Sequence, residues 1–239
     1  MQANNQTSNQ NRTNDTLSRV ANGLVVWVAK HWLLLFNSAW GFYLFLPILA
    51  PIFVQLGWYA PARVIYSVYS VLCHQLPDHS YFLFGANPVP LTPDLVAAGM
   101  PATSDLFVQR KFIGNDQIGY KVAICERDVA IYGSVFLAGL AYGLLRPRLR
   151  PLSFKSYLLF LVPLAVDGLT QMVGWRESNW WLRTVTGTLF GVASVWLAYP
   201  YVDDAMESVI EDEEARRALE QHMQSQSTDP LADPPHASG

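Results

Sequence analysis

Long apolar stretches alternate with short basic or polar ones in the second half of the chain. Residues 131–201 read apolar, basic, apolar, polar, apolar. Each apolar stretch has about the 17–25 residues that an α-helix needs to cross a ~30 Å hydrocarbon layer. A soluble domain rarely has three such stretches in succession, because its helices need a polar face for water. The pattern therefore predicts a membrane-embedded helical segment.

The same pattern, followed along the whole chain, predicts an all-α fold: a polytopic membrane helix bundle with about four transmembrane helices. The membrane domain is expected to cover residues 17–201. Its predicted spans are about residues 32–56, 129–145, 157–173 and 181–199. Pro47 and Pro51 lie in the first span, where each removes a backbone donor and favours a kink.

An outer loop region, residues 58–126, separates the first two predicted spans. Residues 62–76 within it are apolar but short for a crossing, so they predict an interfacial or re-entrant helix. Residues 87–120 are polar and contain Pro and Gly, which indicates an ordered extramembrane cap.

The two ends of the chain are polar. Residues 1–16 and 225–239 have the composition of disordered tails. Residues 202–224 are rich in acidic and basic side chains at helical spacing, which predicts a solvated acidic helix.

The loop after the second span is basic, and this predicts the orientation. It carries four cations within ten residues: Arg146, Arg148, Arg150 and Lys155. Short loops with an excess of Lys and Arg face the cytoplasm. The chain is therefore predicted to be a multi-pass protein of the cell membrane, with both termini and the acidic helix in the cytoplasm.

The composition agrees with a membrane location and restricts the partners. The chain is 51% hydrophobic and 15% charged, against about 25% charged in an average soluble protein. A net charge of -3 does not suggest nucleic acid, so the lipid bilayer is the expected partner. Two small-xxx-small pairs, Gly139/Gly143 and Gly187/Gly191, favour packing inside the bundle, although a protein partner or homo-oligomer stays open.

Connectivity alone gathers several polar residues on one face of the membrane. No crossing is plausible between Cys73 and Cys125, the second span leaves their side, and the third span returns to it. The predicted polar cluster at this outer face comprises Cys73, His74, Gln75, Cys125, Arg127, Asp167, Gln171, Arg176 and Arg183.

Asp167 is the acid within this cluster that most needs an explanation. It lies near mid-depth of the third span, where a lone acid costs roughly 2.5–3.5 kcal/mol on insertion scales. Arg127 and Arg183, at the outer starts of the second and fourth spans, are the available cations. Two interpretations stay open: a polar clamp that holds helices together, or an ion, proton or ligand site.

The two cysteines allow four interpretations. They are a structural disulfide, a zinc-type metal site with His74 or His79, a catalytic thiol pair, or unpaired thiols without a role. The chain has no C-x-x-C motif, which weighs against thiol catalysis. Neighbouring helical residues point about 100° apart, so Cys73 and His74 converge on one metal only if their helix ends there, as Pro77 allows.

The polar motifs together resemble a known family. In chain order they are Cys73-His74-Gln75-Leu76-Pro77-x-x-Ser80, Cys125-Glu126-Arg127-Asp128 leading into Ile131-Tyr132-Gly133, Asp167-Gly168-x-x-Gln171, and Arg176 through Arg183-x-x-x-Gly187. Over about residues 70–190 the chain resembles the bacterial membrane proteins catalogued as domain of unknown function 2085. The resemblance implies a polytopic membrane protein of unassigned activity. Family members often have Cys-x-Arg-Cys in the second motif, whereas this chain has Asp128 in the fourth position, which leaves an acid as a substitute ligand.

Three functional hypotheses follow. The first is a binding role, in which the outer cluster holds a ligand, a metal or a partner protein without turnover. The second is an enzyme: a membrane thiol oxidoreductase or a metal-dependent activity that uses the metal candidates Cys73, His74 and Cys125. The third is a small transporter or proton path through Asp167 and Gln171.

Overall fold

The computed structural model describes residues 2–146 and 149–227. Its helices are α1 (Gln2–Gln55), α2 (Tyr59–Leu72), α3 (Thr92–Ala97), α4 (Leu106–Gln109), α5 (Glu126–Leu145), α6 (Phe154–Met172) and α7 (Trp180–Ser227). A small antiparallel sheet has the strands β1 (Phe82–Leu83), β2 (Gly114–Asn115) and β3 (Gly119–Lys121), in the order β1-β3-β2. The predicted all-α class is confirmed. Arg148 of the basic loop and residues 228–239 of the predicted C-terminal tail lie outside the described residues.

Three of the described helices are long and apolar enough to cross a membrane. They are α1 within Thr16–Gln55, α5, and α7 within Trp180–Ser225. α6 has 19 residues but is not among the three, because Lys155, Asp167 and Gln171 lower its mean hydropathy. The fourth crossing therefore stays a prediction, as does the orientation of the termini.

The helix ends differ from the prediction at both termini. α1 begins at Gln2, inside the segment expected to be a disordered tail, and no Pro or Gly precedes Gly23 to stop it. α7 continues to Ser227, so the acidic segment 202–224 is the end of α7 and not a separate helix.

Prolines within α1 and α7 are accommodated because other groups bind the carbonyls that they leave without a donor. A helical proline cannot donate to the carbonyl four residues earlier. The Tyr69 hydroxyl donates to Tyr43 O (2.8 Å), four residues before Pro47. The carbonyl of Pro47 itself, which Pro51 leaves unbonded, accepts from Ala123 N (3.2 Å).

Pro200 of α7 is accommodated in the same way. Trp196 O, four residues before it, accepts from Leu152 N at 3.2 Å. These bonds matter in a bilayer, where water is absent and each unsatisfied backbone group costs several kcal/mol. They also attach the loop segments to the helices.

α2 is shorter than the apolar stretch that predicts it. It ends at Leu72, and Cys73 is already extended, with φ −140° and ψ 149°. Gln75 has φ 53°, in the left-handed region that non-glycine residues rarely adopt. The helix therefore stops before the Cys73-His74 pair, so the two side chains are not held about 100° apart.

The chain divides into two compact units, one of residues 36–200 and one formed by the described parts of 1–35 and 201–239. Within the second of these, Trp32 Nε1 donates to Asp203 Oδ1 (3.1 Å) and Lys30 pairs with Glu214 (3.8 Å). Within residues 36–200, a buried core joins the end of α1, α2 and residues 122–125. Every residue of the candidate site belongs to this unit.

Candidate metal cluster and ion-pair clamp

Two helix ends bring the cysteines together. Cys73 caps the C-terminus of α2, and Cys125 caps the N-terminus of α5. The backbone N–H of Cys125 donates to Cys73 Sγ at 3.3 Å. Because His74 follows Cys73 in extended backbone, its ring nitrogen joins the two sulfurs. One ligand atom from each of the three residues lies within 4.8 Å of the others.

Both cysteines are free thiols in this structure, buried to 8% and 5% exposure. The hydrogen bond with Cys73 and burial raise the pKa of the Cys125 thiol. Burial of the His74 ring, with His79 and Arg183 nearby, lowers the pKa of His74, although part of the residue is exposed. The imidazole is therefore neutral at physiological pH, which is the form that binds metals.

The His74 ring has one assigned hydrogen bond. Its Nδ1 accepts from the backbone N–H of Leu76 at 3.1 Å. The proton of the neutral ring is therefore assigned to Nε2. A metal held through Nδ1 would take the place of the Leu76 N–H.

Gln75 lies behind the cluster and braces it. Its Nε2 donates to Tyr66 O and to Ala123 O, both at 2.9 Å. Its backbone carbonyl accepts from Lys121 Nζ at 2.8 Å. These bonds hold the left-handed residue in place, so Gln75 positions its neighbours and does not face the ligand atoms.

Lys121 is a buried residue that sequence reasoning missed. It is fully buried at 0% exposure, and Nζ also donates to Arg110 O at 2.5 Å. Burial, and then the charge of Arg110, lowers the pKa of Lys121 to about 7. A single Lys in a polar loop forms no sequence pattern that would have predicted its burial.

Asp167 is held between two guanidinium groups. It is 1% exposed, and its Oδ2 accepts from Arg127 Nη2 while its Oδ1 accepts from Arg176 Nη2, both at 2.7 Å. Arg127 Nη2 also donates to Gln171 Oε1 at 3.2 Å. The structure thus gives Asp167 two cations, one predicted partner (Arg127) and one not assigned to it from the sequence (Arg176).

Arg183, the other cation available to Asp167, has a different partner in the structure. Arg183 Nη1 instead pairs with Glu126 Oε2 at 3.0 Å, and both side chains are almost fully buried. Arg183 Nη2 donates to Ser178 O and contacts His79 Nε2 (3.0 Å). Glu126 follows Cys125 directly at the start of α5, so it is on the side of α7 rather than of α6.

His79 connects the two ion pairs. Its Nε2 contacts Gln171 Nε2 at 2.7 Å and Arg183 Nη2 at 3.0 Å. Both are N–H donors, so the ring proton is assigned to Nδ1, which lies 2.9 Å from Asp78 Oδ1. Burial raises the pKa of Asp78, but the interaction with His79 outweighs it, so the pKa of Asp78 is lowered. We call Glu126, Arg127, Asp167, Gln171, Arg176, Arg183 and His79 the ion-pair clamp.

We call Cys73, His74 and Cys125 the metal cluster, as candidate ligands of one ion. The metal cluster and the clamp border one cleft of about 480 Å³. Its polar lining comes from His74, His79, Cys125, Arg127, Asp128, Gln171 and Arg183. Asp128 therefore shares this cleft with His74 and Cys125, two of the three candidate ligands.

Comparisons with known proteins agree on the class of protein. A family described as "Predicted membrane protein (DUF2085)" matches residues 110–197, which include Cys125 and Asp167 but begin after Cys73. An uncharacterized protein of Methanocaldococcus jannaschii is 31% identical over 179 residues, covering 72% of this chain and 92% of the relative. An uncharacterized protein of Methanothermobacter thermautotrophicus is 34% identical over 74 residues, covering 31% of this chain and 67% of the relative. No solved structure matches. Both relatives are archaeal, so a bacterial origin stays a prediction.

Proposed function

This chain belongs to the DUF2085 family of predicted membrane proteins, and on that premise we propose that it binds a zinc-type metal ion through Cys73, His74 and Cys125. The observation that carries the proposal is the separation of at most 4.8 Å among the three ligand atoms. Thiolate and imidazole are the ligands that zinc prefers in proteins.

The distances fit one metal. Zinc binds sulfur at about 2.3 Å and nitrogen at about 2.0–2.1 Å in tetrahedral sites, so two ligand atoms of one ion are about 3.5–3.8 Å apart. The three ligand atoms lie within 4.8 Å of one another, so side-chain movements of up to about 1 Å would close them around one ion. The early end of α2 supports the proposal, because it is what lets two consecutive residues act as ligands.

Three protein ligands beside a cleft leave one coordination position, and Asp128 is our candidate for it. A closed set of four protein ligands is typical of a structural metal site. An open position filled by water is typical of a catalytic one, so the metal-dependent enzyme remains the alternative that the cleft favours. Asp128 decides between the two.

The clamp gives less support to a transporter or proton path. Both carboxylate oxygens of Asp167 already accept hydrogen bonds from guanidinium groups, which leaves neither oxygen open to a passing ion or proton. We therefore interpret Asp167 and Gln171 as structural groups that hold α6 to α5 and to the loop before α7.

The test is metal content and affinity of the full chain purified in detergent under reducing conditions. We expect about one zinc per chain, and a cobalt-substituted protein with thiolate absorption bands. Cys73→Ser, Cys125→Ser and His74→Ala should each weaken zinc binding at least tenfold. His31→Asn, which alters an exposed histidine of α1, is the matched control and should bind normally.

The result for Asp128→Asn separates the two kinds of metal site. A tenfold or greater loss of affinity would make Asp128 a fourth ligand and the site structural. Unchanged affinity would leave the position open to the cleft. The whole proposal is overturned if the folded wild-type protein takes up no zinc or cobalt, or if both serine variants bind as the wild type does.

A further inference from the structure

A second site lies at the opposite end of α5, away from the metal cluster. A groove of about 430 Å³ runs between α5 and α7, lined almost wholly by apolar side chains. We call it the α5–α7 groove. On α5 it extends from Ser134 to Leu145, and on α7 from Thr188 to Trp196. Its volume is within the range of small-molecule sites, about 300–1,000 Å³.

The length of the groove matches one leaflet of a bilayer. The helical rise of 1.5 Å per residue gives about 16 Å between residues 134 and 145. Half of a ~30 Å hydrocarbon layer is about 15 Å. Leu137 (65% exposed) and Trp196 (39% exposed) stand at its walls, and Ala138 and Ala141 leave the space between them.

The end of the groove is basic. Leu145 and Leu149 line this end, and the exposed residues Arg146, Arg150 and Lys155 lie next to them in sequence. Trp196 Nε1 donates to Arg150 O at 3.0 Å, and Trp196 O accepts from Leu152 N at 3.2 Å. These two bonds fix the backbone of residues 150–152 at the mouth of the groove.

We propose that the α5–α7 groove binds one anionic phospholipid, with an acyl chain in the groove and its phosphate at the basic loop. An apolar channel of leaflet length with cations at its interfacial end has both the shape and the charge of such a lipid. Basic groups at the ends of intramembrane grooves bind anionic head groups in this way. The proposal does not depend on the metal site.

A second protein helix is a weaker occupant. Helices that associate in membranes meet through small residues, above all glycine. Gly139 faces Asn37 and Tyr199, and Gly191 faces Ser134 and Ile131 of α5. Both glycines therefore pack inside the bundle, and neither is presented to a partner at the groove.

The test uses quenching of Trp196 by lipids with brominated acyl chains. The full chain is reconstituted in vesicles, and brominated phosphatidylglycerol is compared with brominated phosphatidylcholine. The difference between wild type and Trp196→Phe isolates this residue among the eight tryptophans. We expect half-maximal quenching of Trp196 at a several-fold lower mole fraction of phosphatidylglycerol.

Arg150→Gln should reduce the preference for phosphatidylglycerol about fivefold, the equivalent of about 1 kcal/mol for one basic residue at the surface. Its backbone carbonyl, which holds Trp196, is unchanged. Arg63→Gln, an exposed arginine of α2, is the matched control and should keep the preference. Ala141→Leu, which narrows the groove, should weaken quenching by both lipids.

Equal quenching by the two lipids in wild type would overturn the proposal, as would a preference that survives Arg150→Gln. Protection of Trp196 from both lipids that disappears when the protein is diluted in the bilayer would also overturn it, because a second copy would then fill the groove.

Discussion

Replacing Asp167 by Asn is the sharpest test of the ion-pair clamp. The change keeps the size of the side chain and one acceptor oxygen, but it removes the charge that two arginines share. The Asp167 side chain is 1% exposed, whereas those of Arg127 and Arg176 are 25% and 43% exposed. The partners therefore differ in how well solvent replaces the lost ion pair.

The magnitude follows from these exposures. Hydrogen bonds to charged groups contribute about 1.5–3 kcal/mol each, and breaking a buried pair costs about 3–5 kcal/mol. Solvent screens the Arg176 interaction, so its share is about 1 kcal/mol or less. We expect Asp167→Asn to lower the free energy of unfolding by about 2–4 kcal/mol. Arg127→Met should cost nearly as much, and Arg176→Met about 1 kcal/mol or less.

The assay is unfolding of the purified protein in detergent micelles by titration with sodium dodecyl sulfate, followed by circular dichroism. The order of the effects is the decisive result, because it comes from burial and not from the number of bonds. A variant Asp167→Asn as stable as wild type would refute the clamp. So would an Arg176→Met protein less stable than Arg127→Met.

Two further predictions concern buried Lys121 and Gly191 of α7. Folding lowers the pKa of Lys121 to about 7, so between about pH 7 and pH 10 the folded protein has lost a proton that the unfolded chain keeps. The free energy of unfolding should therefore rise with pH in this range by up to about 1.4 kcal/mol per pH unit. The variant Lys121→Met, measured by the same unfolding titration at pH 6.5 and 9.5, should lose this rise. A Cβ on Gly191 would lie 2.6 Å from Ile131 O, so Gly191→Ala should lower the free energy of unfolding by about 1–3 kcal/mol. In the control Gly133→Ala, the new Cβ meets only Leu44 at 3.9 Å, so the stability should not change. Equal effects of the two changes would contradict the packing of α7 on α5.

Hydrophobic patterning predicted the membrane helices well because their length and composition are local properties. The expected spans at 129–145 and 181–199 fall inside α5 and α7. The N-terminus differs, because polar composition predicts disorder for residues 1–16 whereas α1 begins at Gln2 in the structure. A composition rule has no access to the cooperativity by which an existing helix extends into a sequence that lacks a helix breaker.

Connectivity predicted which residues meet, but not the individual pairs. Cys73 and Cys125 do meet, at 3.3 Å between Cys125 N and Cys73 Sγ. The sequence could not predict the partner of Arg183, because the choice between Asp167 and Glu126 depends on the rotation of α5 about its axis. Sequence counts of charge carry no information about that rotation. Lys121 was missed for a related reason, since only the folded structure shows that its side chain is buried at the end of β3.

The start of α5 explains why the metal cluster and the clamp occur together. Cys125, Glu126 and Arg127 are consecutive. The backbone N–H of Cys125 contacts Cys73, and the side chains of Glu126 and Arg127 contact Arg183 and Asp167, respectively. Successive helical residues diverge by about 100°, so a single helix start meets the end of α2, the start of α7 and the C-terminal half of α6.

The clamp meets the candidate metal cluster at the backbone of α5 and at His79, whose ring centroid lies 5.6 Å from that of His74. Asp167 touches Arg127, which is two residues from Cys125, and it touches none of the three candidate ligands in the described structure. Folded Asp167→Asn protein should therefore bind zinc within about threefold of wild type, while its stability falls. If the folded variant instead lost its zinc, Asp167 would act on the ligand site itself, and the division into a structural clamp and a separate metal cluster would be wrong.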